Sequence, residues 1–541
     1  MKLLIALCFI VTLYANSSIH KIDDWDTNAT KIKTSDNLST MAMQNRIVYK
    51  GLGLSVGGAK DIDNFIQNIK NGYLPKLNSI TYEGVFYEHY FDFPKLKCKT
   101  LFCPSYSLAN IPDIYTNQDE YYMSIGLSSN IDLNKFKRDK LNVAVVLDIS
   151  GSMRASFSKY YYDSIPYHHR KSKSKMKIAT ETIVNMFKHL KNDDRLAIVL
   201  FDNIAYKVKP FRNIATTDMK AISSHILQVA PRGGTNWSAG YKAALEYFED
   251  IDTDGYQNRI IFITDAMPNM GELDKDKLFG MTKKASKRGI YTTFLGVGVD
   301  FNTNLVDYIS KVKGANYYSI HSAEEFSKRL DKEFDYMVTP IVYDMVLKLT
   351  SDSFQIDKVF GVPNKNTFSE EILNINTLFA SDSTDGGTKG GVILIKLKKS
   401  SIGDTLKLNI SYKDKLGKRY EDNKTIHFDI KGYQDSSIQK AILLTRYVTL
   451  MRNWIADSRV WCNNPTQYKE RNPVHIMRYI PYNPTAQNLT IWERKSCKLK
   501  VTQGYKKLFS FFKTYFVKQM DELNDKSLNK ELNIIDLLLE K

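Results

Sequence analysis

The 541-residue chain carries 76 Lys+Arg against 59 Asp+Glu, a formal net charge of +17. Hydrophobic residues at 43% and charged residues at 25% are ordinary globular proportions; they exclude a disordered or collagen-like chain, and the length allows three or four domains with cores of their own. Beyond the N-terminus no apolar run approaches the roughly 18 residues of a membrane span, which argues against an intrinsic channel, and the positive charge points to an anionic partner such as nucleic acid, lipid or acidic protein.

In chain order, Lys2 precedes an apolar run over residues 3–13 that ends at Ala15, Asn16 and Ser17. This pattern reads as a secretory signal peptide over residues 1–17, so the chain is expected to be exported to a periplasm, a cell surface or the medium. Cleavage leaves Cys98, Cys103, Cys462 and Cys497. Four cysteines allow three connectivities; closeness in sequence favours Cys98 with Cys103 and Cys462 with Cys497. No pair has C-x-x-C spacing, so a structural zinc site is not expected.

Residues 18–140 read as a mixed N-terminal region with a glycine-rich stretch (Gly51, Gly53, Gly57, Gly58) and a Tyr/Phe-rich run over 82–93. From residue 141 the pattern becomes regular. Apolar runs at 141–147, 196–201, 260–264 and 291–297 have the length of buried parallel strands. Between and after them, 175–190, 217–229, 238–248, 274–287 and 322–337 have helical spacing. The alternation predicts an α/β domain over 141–340, built on a doubly wound, mostly parallel, Rossmann-like sheet. The period then shifts to two at 341–350, 392–397, 406–412 and 425–430, which predicts a small flanking β domain over 341–432. A helical C-terminal region, 433–541, completes the chain. Its second helix carries Tyr505, Leu508, Phe509, Phe512 and Phe516, a stripe that suits a packed core better than a membrane surface.

The first α/β strand ends in Asp148-Ile149-Ser150-Gly151-Ser152, where a strand meets a loop. In open parallel sheets ligands bind beyond the carboxyl ends of the strands. Gly233-Gly234-Thr235-Asn236 occupies the loop before the 238–248 helix, and the strand over 260–264 leads into Asp265. Asp148, Ser150, Ser152, Thr235 and Asp265 thereby converge as two carboxylates and three hydroxyls, hard oxygen donors suited to Mg²⁺, Mn²⁺ or Ca²⁺.

The order DISGS, GGT, TD resembles the metal-ion-dependent adhesion site of von Willebrand factor A domains. The resemblance implies that Ser150, Ser152 and Thr235 contact the metal directly, while Asp148 and Asp265 act mainly through bound water or hydrogen bonds. Neutral hydroxyls leave the cation poorly neutralised, so a partner protein supplying an Asp or Glu carboxylate is expected. Ala266 stands where family members commonly have Gly, a change that removes no ligand. Gly57-Gly58-Ala59-Lys60-Asp61 and the stretch from NGYLP to YFDF resemble exported A-domain proteins named as calcium-activated chloride channel homologues. The segment after residue 340 and the YVTLMRNW helix are also similar to that group, although nothing in the sequence supports conduction.

Between Ser152 and the helix at 175 lies a long basic segment with Tyr160, Tyr161, Tyr162, His168, His169 and Arg170. Beside a metal it would offer a partner aromatic anchors and basic contacts; a solvated loop is the equal alternative. Residues 153–177 hold seven basic and one acidic side chain, and 431–541 hold 19 basic and 10 acidic. The charge is therefore two local fields, which favours an acidic protein partner and demotes nucleic acid. Gly53-Leu54-Ser55-Val56-Gly57 also satisfies the nucleophile-elbow pattern G-x-S-x-G. The leading expectation is an exported, metal-dependent binding or adhesion protein that is not an enzyme. The alternatives are an envelope factor docking on membranes through the C-terminal helices, and a hydrolase using Ser55.

Overall fold

The computed structural model describes residues 21–26, 51–94, 99–157, 173–265, 275–299, 311–363, 369, 371–384, 387–463 and 497–541. The signal segment, the loop residues Tyr160, Tyr161, Tyr162, His168, His169 and Arg170, and Cys98 lie outside the described residues, as does the Cys462 side chain. Cys103 and Cys497 are each disulfide-bonded.

The α/β domain is built on a seven-stranded sheet. Its order is Gly58–Ala59, Asn316–Ile320, Ile290–Val297, Tyr256–Thr264, Lys140–Asp148, Arg195–Phe201 and Ala205–Asn213. All neighbours pair in parallel except the last, which runs antiparallel along the edge. The central strand reads as continuously apolar because both its faces are covered. Leu141, Val143, Val145 and Leu147 enter one core with helices Lys175–Phe187, Met219–Leu227 and Ala323–Met337, and Ala144 and Val146 enter another with helix Trp237–Glu249. Polar caps set these helices: Ser322 Oγ accepts the Glu325 N–H at 3.0 Å, with Glu324 and Glu325 in the positive first turn. The edge strand 205–213 was not expected. Lys207 and Pro210 are exposed and Lys209 is buried against Asp24, a mixture that hides the period.

The sequence divides residues 18–140 from 341–432, but the structure joins their strands. One antiparallel sheet runs Arg419–His427, Thr405–Lys413, Pro340–Thr350, Ile372–Ser381, Gly51–Val56 and Ser128–Asp132. A second runs Phe354–Phe360, Val392–Lys399, Asp119–Gly126, Ser105–Pro112 and Gly432–Tyr433. Leu54, Met123, Ile125, Leu347, Ile393 and Ile395 share one core, so the two sheets form a sandwich into which the α/β domain is inserted. The expected strand at 425–430 is displaced: the ladder runs from Arg419 to His427, mostly exposed at the sheet edge, where polar residues mask the alternation.

Residues 392–397 also alternate between two interiors. Ile393 and Ile395 face the sandwich, while Val392 and Leu394 face a third layer of helices that includes Asp63–Lys70, Tyr82–Tyr87, Ser436–Asn463, Gln503–Leu523 and Asn529–Glu540. The aromatic stripe of the Gln503–Leu523 helix belongs to this helical core. Tyr505, Phe509, Phe512 and Phe516 are buried, Phe509 meets Trp454 edge-on at 6.0 Å, and Phe516 lies 6.2 Å from Tyr447. The stripe is therefore spent on internal packing and is not a lipid-facing surface. Among the described residues no helix is long and apolar enough to cross a membrane. Phe512→Ala should lower stability by about 3–5 kcal/mol. A shift of the urea midpoint by less than a third of that amount would show that the helical layer is not packed as described.

Candidate metal-binding site

The site forms where the two central strands of the α/β sheet end side by side. Asp148 closes the Lys140–Asp148 strand, and Thr264-Asp265 follows the last pairs of its parallel neighbour. The Thr264 hydroxyl donates to Asp148 Oδ2 at 2.6 Å, and the Ser150 N–H donates to Oδ1 at 2.8 Å. Ser150 Oγ and Ser152 Oγ are 3.0 Å apart, and Ser152 Oγ donates to Asp265 Oδ1 at 2.8 Å. A continuous polar chain thus links both carboxylates through both serines. Every member is buried, with Asp148 at 0% and Asp265 at 1% exposure. Burial, reinforced by the Asp265 carboxylate, pushes Asp148 up to about 7 against the hydrogen bonds from Ser150 and Thr264.

The Thr235 loop is fastened to the same turn. The Arg232 N–H donates to Ile149 O at 2.6 Å and the Gly151 N–H to Gly233 O at 3.0 Å. Gly233 has φ +66°, and a Cβ there would meet Asp202 Cβ at 3.1 Å, so the close approach needs glycine. Asn236 then caps the Trp237–Glu249 helix through the Ala239 N–H, and Thr235 is buried at 3%. Asp202, beside this loop, is paired with Arg232 Nε at 3.0 Å.

Sequence reasoning missed one member. Lys175 Nζ lies 3.0 Å from Asp265 Oδ2, and both side chains have no exposure at all. Lys175 is the first residue of the Lys175–Phe187 helix, capped by Ser174 Oγ through the Lys177 N–H, and its own N–H donates to Ala155 O. A cation there opposes the positive end of the helix dipole. That conflict between residue type and position is the one signal in the sequence that marks Lys175.

The donor set suits a hard divalent cation: four buried oxygen-bearing side chains in hydrogen-bond succession, two of them carboxylates, with a third hydroxyl in the adjoining loop. Among the described residues there is no cluster of three or more His, Cys, Asp and Glu.

Ser55 is placed differently from the expected elbow. It lies inside the Gly51–Val56 strand, between two paired neighbours, 1% exposed. Its hydroxyl accepts from Lys60 Nζ at 2.9 Å, and Lys60 also donates to Val56 O. A nucleophile elbow needs a sharp strand-to-helix turn presenting the oxygen, and this oxygen is interior.

A doubly wound, mostly parallel sheet covered by helices on both faces defines an α/β domain. Residues 143–268 match the family model of the von Willebrand factor type A domain, and this unit of the chain is such a domain. Inter-alpha-trypsin inhibitor heavy chain H2 of Mus musculus is 24% identical over 210 residues, covering 37% of this chain and 20% of that protein. The uncharacterized protein YfbK of Escherichia coli (strain K12) is 22% identical over 318 residues, covering 57% of this chain and 51% of that protein. The chain therefore spans about half or less of the length of these relatives. Among solved structures, a von Willebrand factor type A protein from Catenulispora acidiphila aligns at 13% identity with a TM-score of 0.42, covering 68% of this chain and 84% of that chain. These relatives lend no support to the resemblance to chloride channel homologues.

Two outcomes follow from the geometry. Asp265→Ala takes from buried Lys175 the carboxylate it is bonded to, and should cost about 3 kcal/mol in thermal or urea unfolding measured in EDTA; an unchanged melt would show the pair to be unimportant. Burial, against the pull of Glu333, lowers Lys60 to about 7 from its ordinary 10.5. Between those two values the unfolded chain holds a proton that the folded chain lacks, so stability gains from rising pH. Relative to Lys60→Met, the wild type should gain about 1 kcal/mol per pH unit from pH 7.5 to 9.5. A flat difference would mean that Lys60 stays charged in the fold.

Proposed function

We propose that the chain is an exported binding protein, acting at a cell surface, in a periplasm or outside the cell. Its von Willebrand factor A domain holds a divalent cation and captures an Asp or Glu carboxylate of a protein partner. In this reading Ser150, Ser152 and Thr235 bind Mg²⁺ (or Mn²⁺ or Ca²⁺) through their hydroxyls, while Asp148 and Asp265 orient them and neutralise the ion. The observation that carries it is the unbroken polar chain Thr264–Asp148–Ser150–Ser152–Asp265, buried at the end of the sheet where ligands of this architecture bind. The bound ion would supply a strong, directional attraction for a carboxylate, and the role is recognition without catalysis. The C-terminal stripe is internal, so the membrane-docking reading draws nothing from it. Ser55 has no route to a substrate, so the hydrolase reading draws nothing from that residue.

A cation that binds only the folded state raises the melting temperature in proportion to the logarithm of its concentration over Kd. Addition of 5–10 mM MgCl₂ or MnCl₂ (about a hundredfold excess over a mid-micromolar Kd) should raise the wild-type Tm by several degrees. Ser152→Ala should lose most of that rise, measured against its own melt in EDTA. Identical wild-type melts in EDTA and in each of Mg²⁺, Mn²⁺ and Ca²⁺ would sink the reading.

A further inference from the structure

A cleft of about 330 Å³ opens between the second sheet of the sandwich and the helical layer. Its floor is one face of that sheet, where Glu120 and Tyr122 of the Asp119–Gly126 strand stand beside Lys396 and Phe360 of the two strands beyond it. The hairpin tip 113–118 forms one wall, and Thr445, Arg446 and Thr449 of the Ser436–Asn463 helix form the other. We infer that this cleft is a binding site for a neutral sugar of one or two rings. It lies in the sandwich and helical layers, apart from the candidate metal site, and does not depend on that reading.

The ionised groups of the cleft are bonded to one another. Glu120 accepts from Arg446 Nη2 at 2.8 Å, from the Tyr122 hydroxyl at 2.9 Å and from Lys396 Nζ. Arg446 also donates to the Tyr515 hydroxyl at 2.8 Å and to Pro112 O at 3.0 Å. On the wall, Asp113 Oδ1 accepts the Tyr115 and Thr116 N–H groups at 2.9 and 2.7 Å, which fixes the hairpin tip. Lys358 lies 3.8 Å from Asp357. An anionic ligand would have to draw on cations that already serve carboxylates.

Two neutral oxygens are in the opposite condition. Thr445 Oγ1 and the Tyr115 hydroxyl are buried with no hydrogen-bond partner among the described residues, and Thr445 is only 4% exposed. A helical threonine can donate to the carbonyl one turn back, as Thr449 does to Thr445 O at 2.7 Å, but Thr445 forgoes that bond. A buried hydroxyl without a partner is costly, and it both donates and accepts. The complement to two such groups is a ligand whose own polar groups are hydroxyls. The cleft adds the aromatic side chains Tyr115, Tyr122 and Phe360, surfaces on which the C–H faces of a sugar ring pack. Its volume is at the small end of ligand pockets, suited to one or two such rings.

The test uses the full chain in EDTA, which keeps divalent cations away from the candidate metal site. The probes are D-glucose, N-acetyl-D-glucosamine and maltose, with sodium sulfate as the anionic control, read by titration calorimetry and saturation-transfer NMR. At least one of the three sugars should bind wild type with a Kd of roughly a millimolar or tighter. Thr445→Val and Tyr115→Phe should each weaken that binding about fivefold or more. The sugar-free melt of Thr445→Val should stay unchanged or rise, because the lost hydroxyl had no partner. A wild type that binds none of the three sugars at about 50 mM overturns the proposal, and sulfate binding alone would mark an anion site instead. Sugar binding that both variants keep at full strength lies elsewhere and overturns it too. The wild-type titrations need no variant, so they stand even if a variant fails to fold.

Discussion

The structure turns on a single short segment, residues 51–63, that belongs to all three layers at once. Gly51–Val56 is an inner strand of the sandwich, paired on one side with Ile372–Ser381 and on the other with Ser128–Asp132. Two residues later Gly58–Ala59 adds to the α/β sheet beside Asn316–Ile320, and at Asp63 the chain enters the first helix of the helical layer. The turn between the two sheets requires φ +103° at Gly58, and a Cβ at Gly53 would strike Thr388 Cγ2 at 2.4 Å. Every layer is thereby placed relative to the others by thirteen residues, some 320 positions away in sequence from the strand that receives them. Closing so long a loop costs entropy before any contact is made, which explains why the segment is so densely bonded.

That density takes the form of buried ion pairs around Arg329. Its guanidinium bonds Lys60 O and Glu88 and lies 3.4 Å from Asp61, which also accepts the Ser319 and Asp63 N–H groups. Lys530 reaches Glu88 from the last helix, and His89 meets Glu531 at 3.0 Å. Arg329 also lies 3.9 Å from Asp63, so the cluster ties the Ala323–Met337 helix to the Asp63–Lys70 and Asn529–Glu540 helices. Such a network contributes less to net stability than the hydrophobic cores around it, but it penalises any other docking angle, because a lost partner leaves a charge buried.

The α/β domain was legible in the sequence because its signals are local. LNVAVVL is apolar throughout because both faces are covered, and Asp148, Ser150, Ser152 and Asp265 fall at strand ends that the pattern itself defines. The sandwich was legible only as strands, since nothing in residues 51–132 announces that their partners lie after 340. The glycine-rich stretch around Ser55 matched a catalytic pattern because close backbone approach and a nucleophile elbow both demand glycine; only the pairing of Ser55 with Phe379 inside a strand, and its burial, separate them. Lys175 was hidden for a related reason. In sequence it is one cation in a basic run, and its distinction, complete burial against Asp265, is a property of the fold.

The same contacts explain why the candidate site lies where it does along the sheet. Asn64 Nδ2 donates to Gly298 O at 3.1 Å and Asn68 Nδ2 to Val299 O at 3.0 Å, so the Asp63–Lys70 helix covers the carboxyl end of the Ile290–Val297 strand. Asp61 does the same for the Asn316–Ile320 strand through Ser319. The carboxyl ends of these two strands are thus bonded by the chain itself. Asp148 and Asp265 stand at the ends of the two central strands, with Lys175 Nζ 3.0 Å from Asp265 Oδ2. The covering helix and the hydroxyl-bearing turn thus meet different strands of one sheet, and the contacts that fix the helix do not draw on Asp148 or Asp265. Asp265 is held there by Lys175 in a wholly buried contact, a local pairing of charge distinct from the +17 of the whole chain.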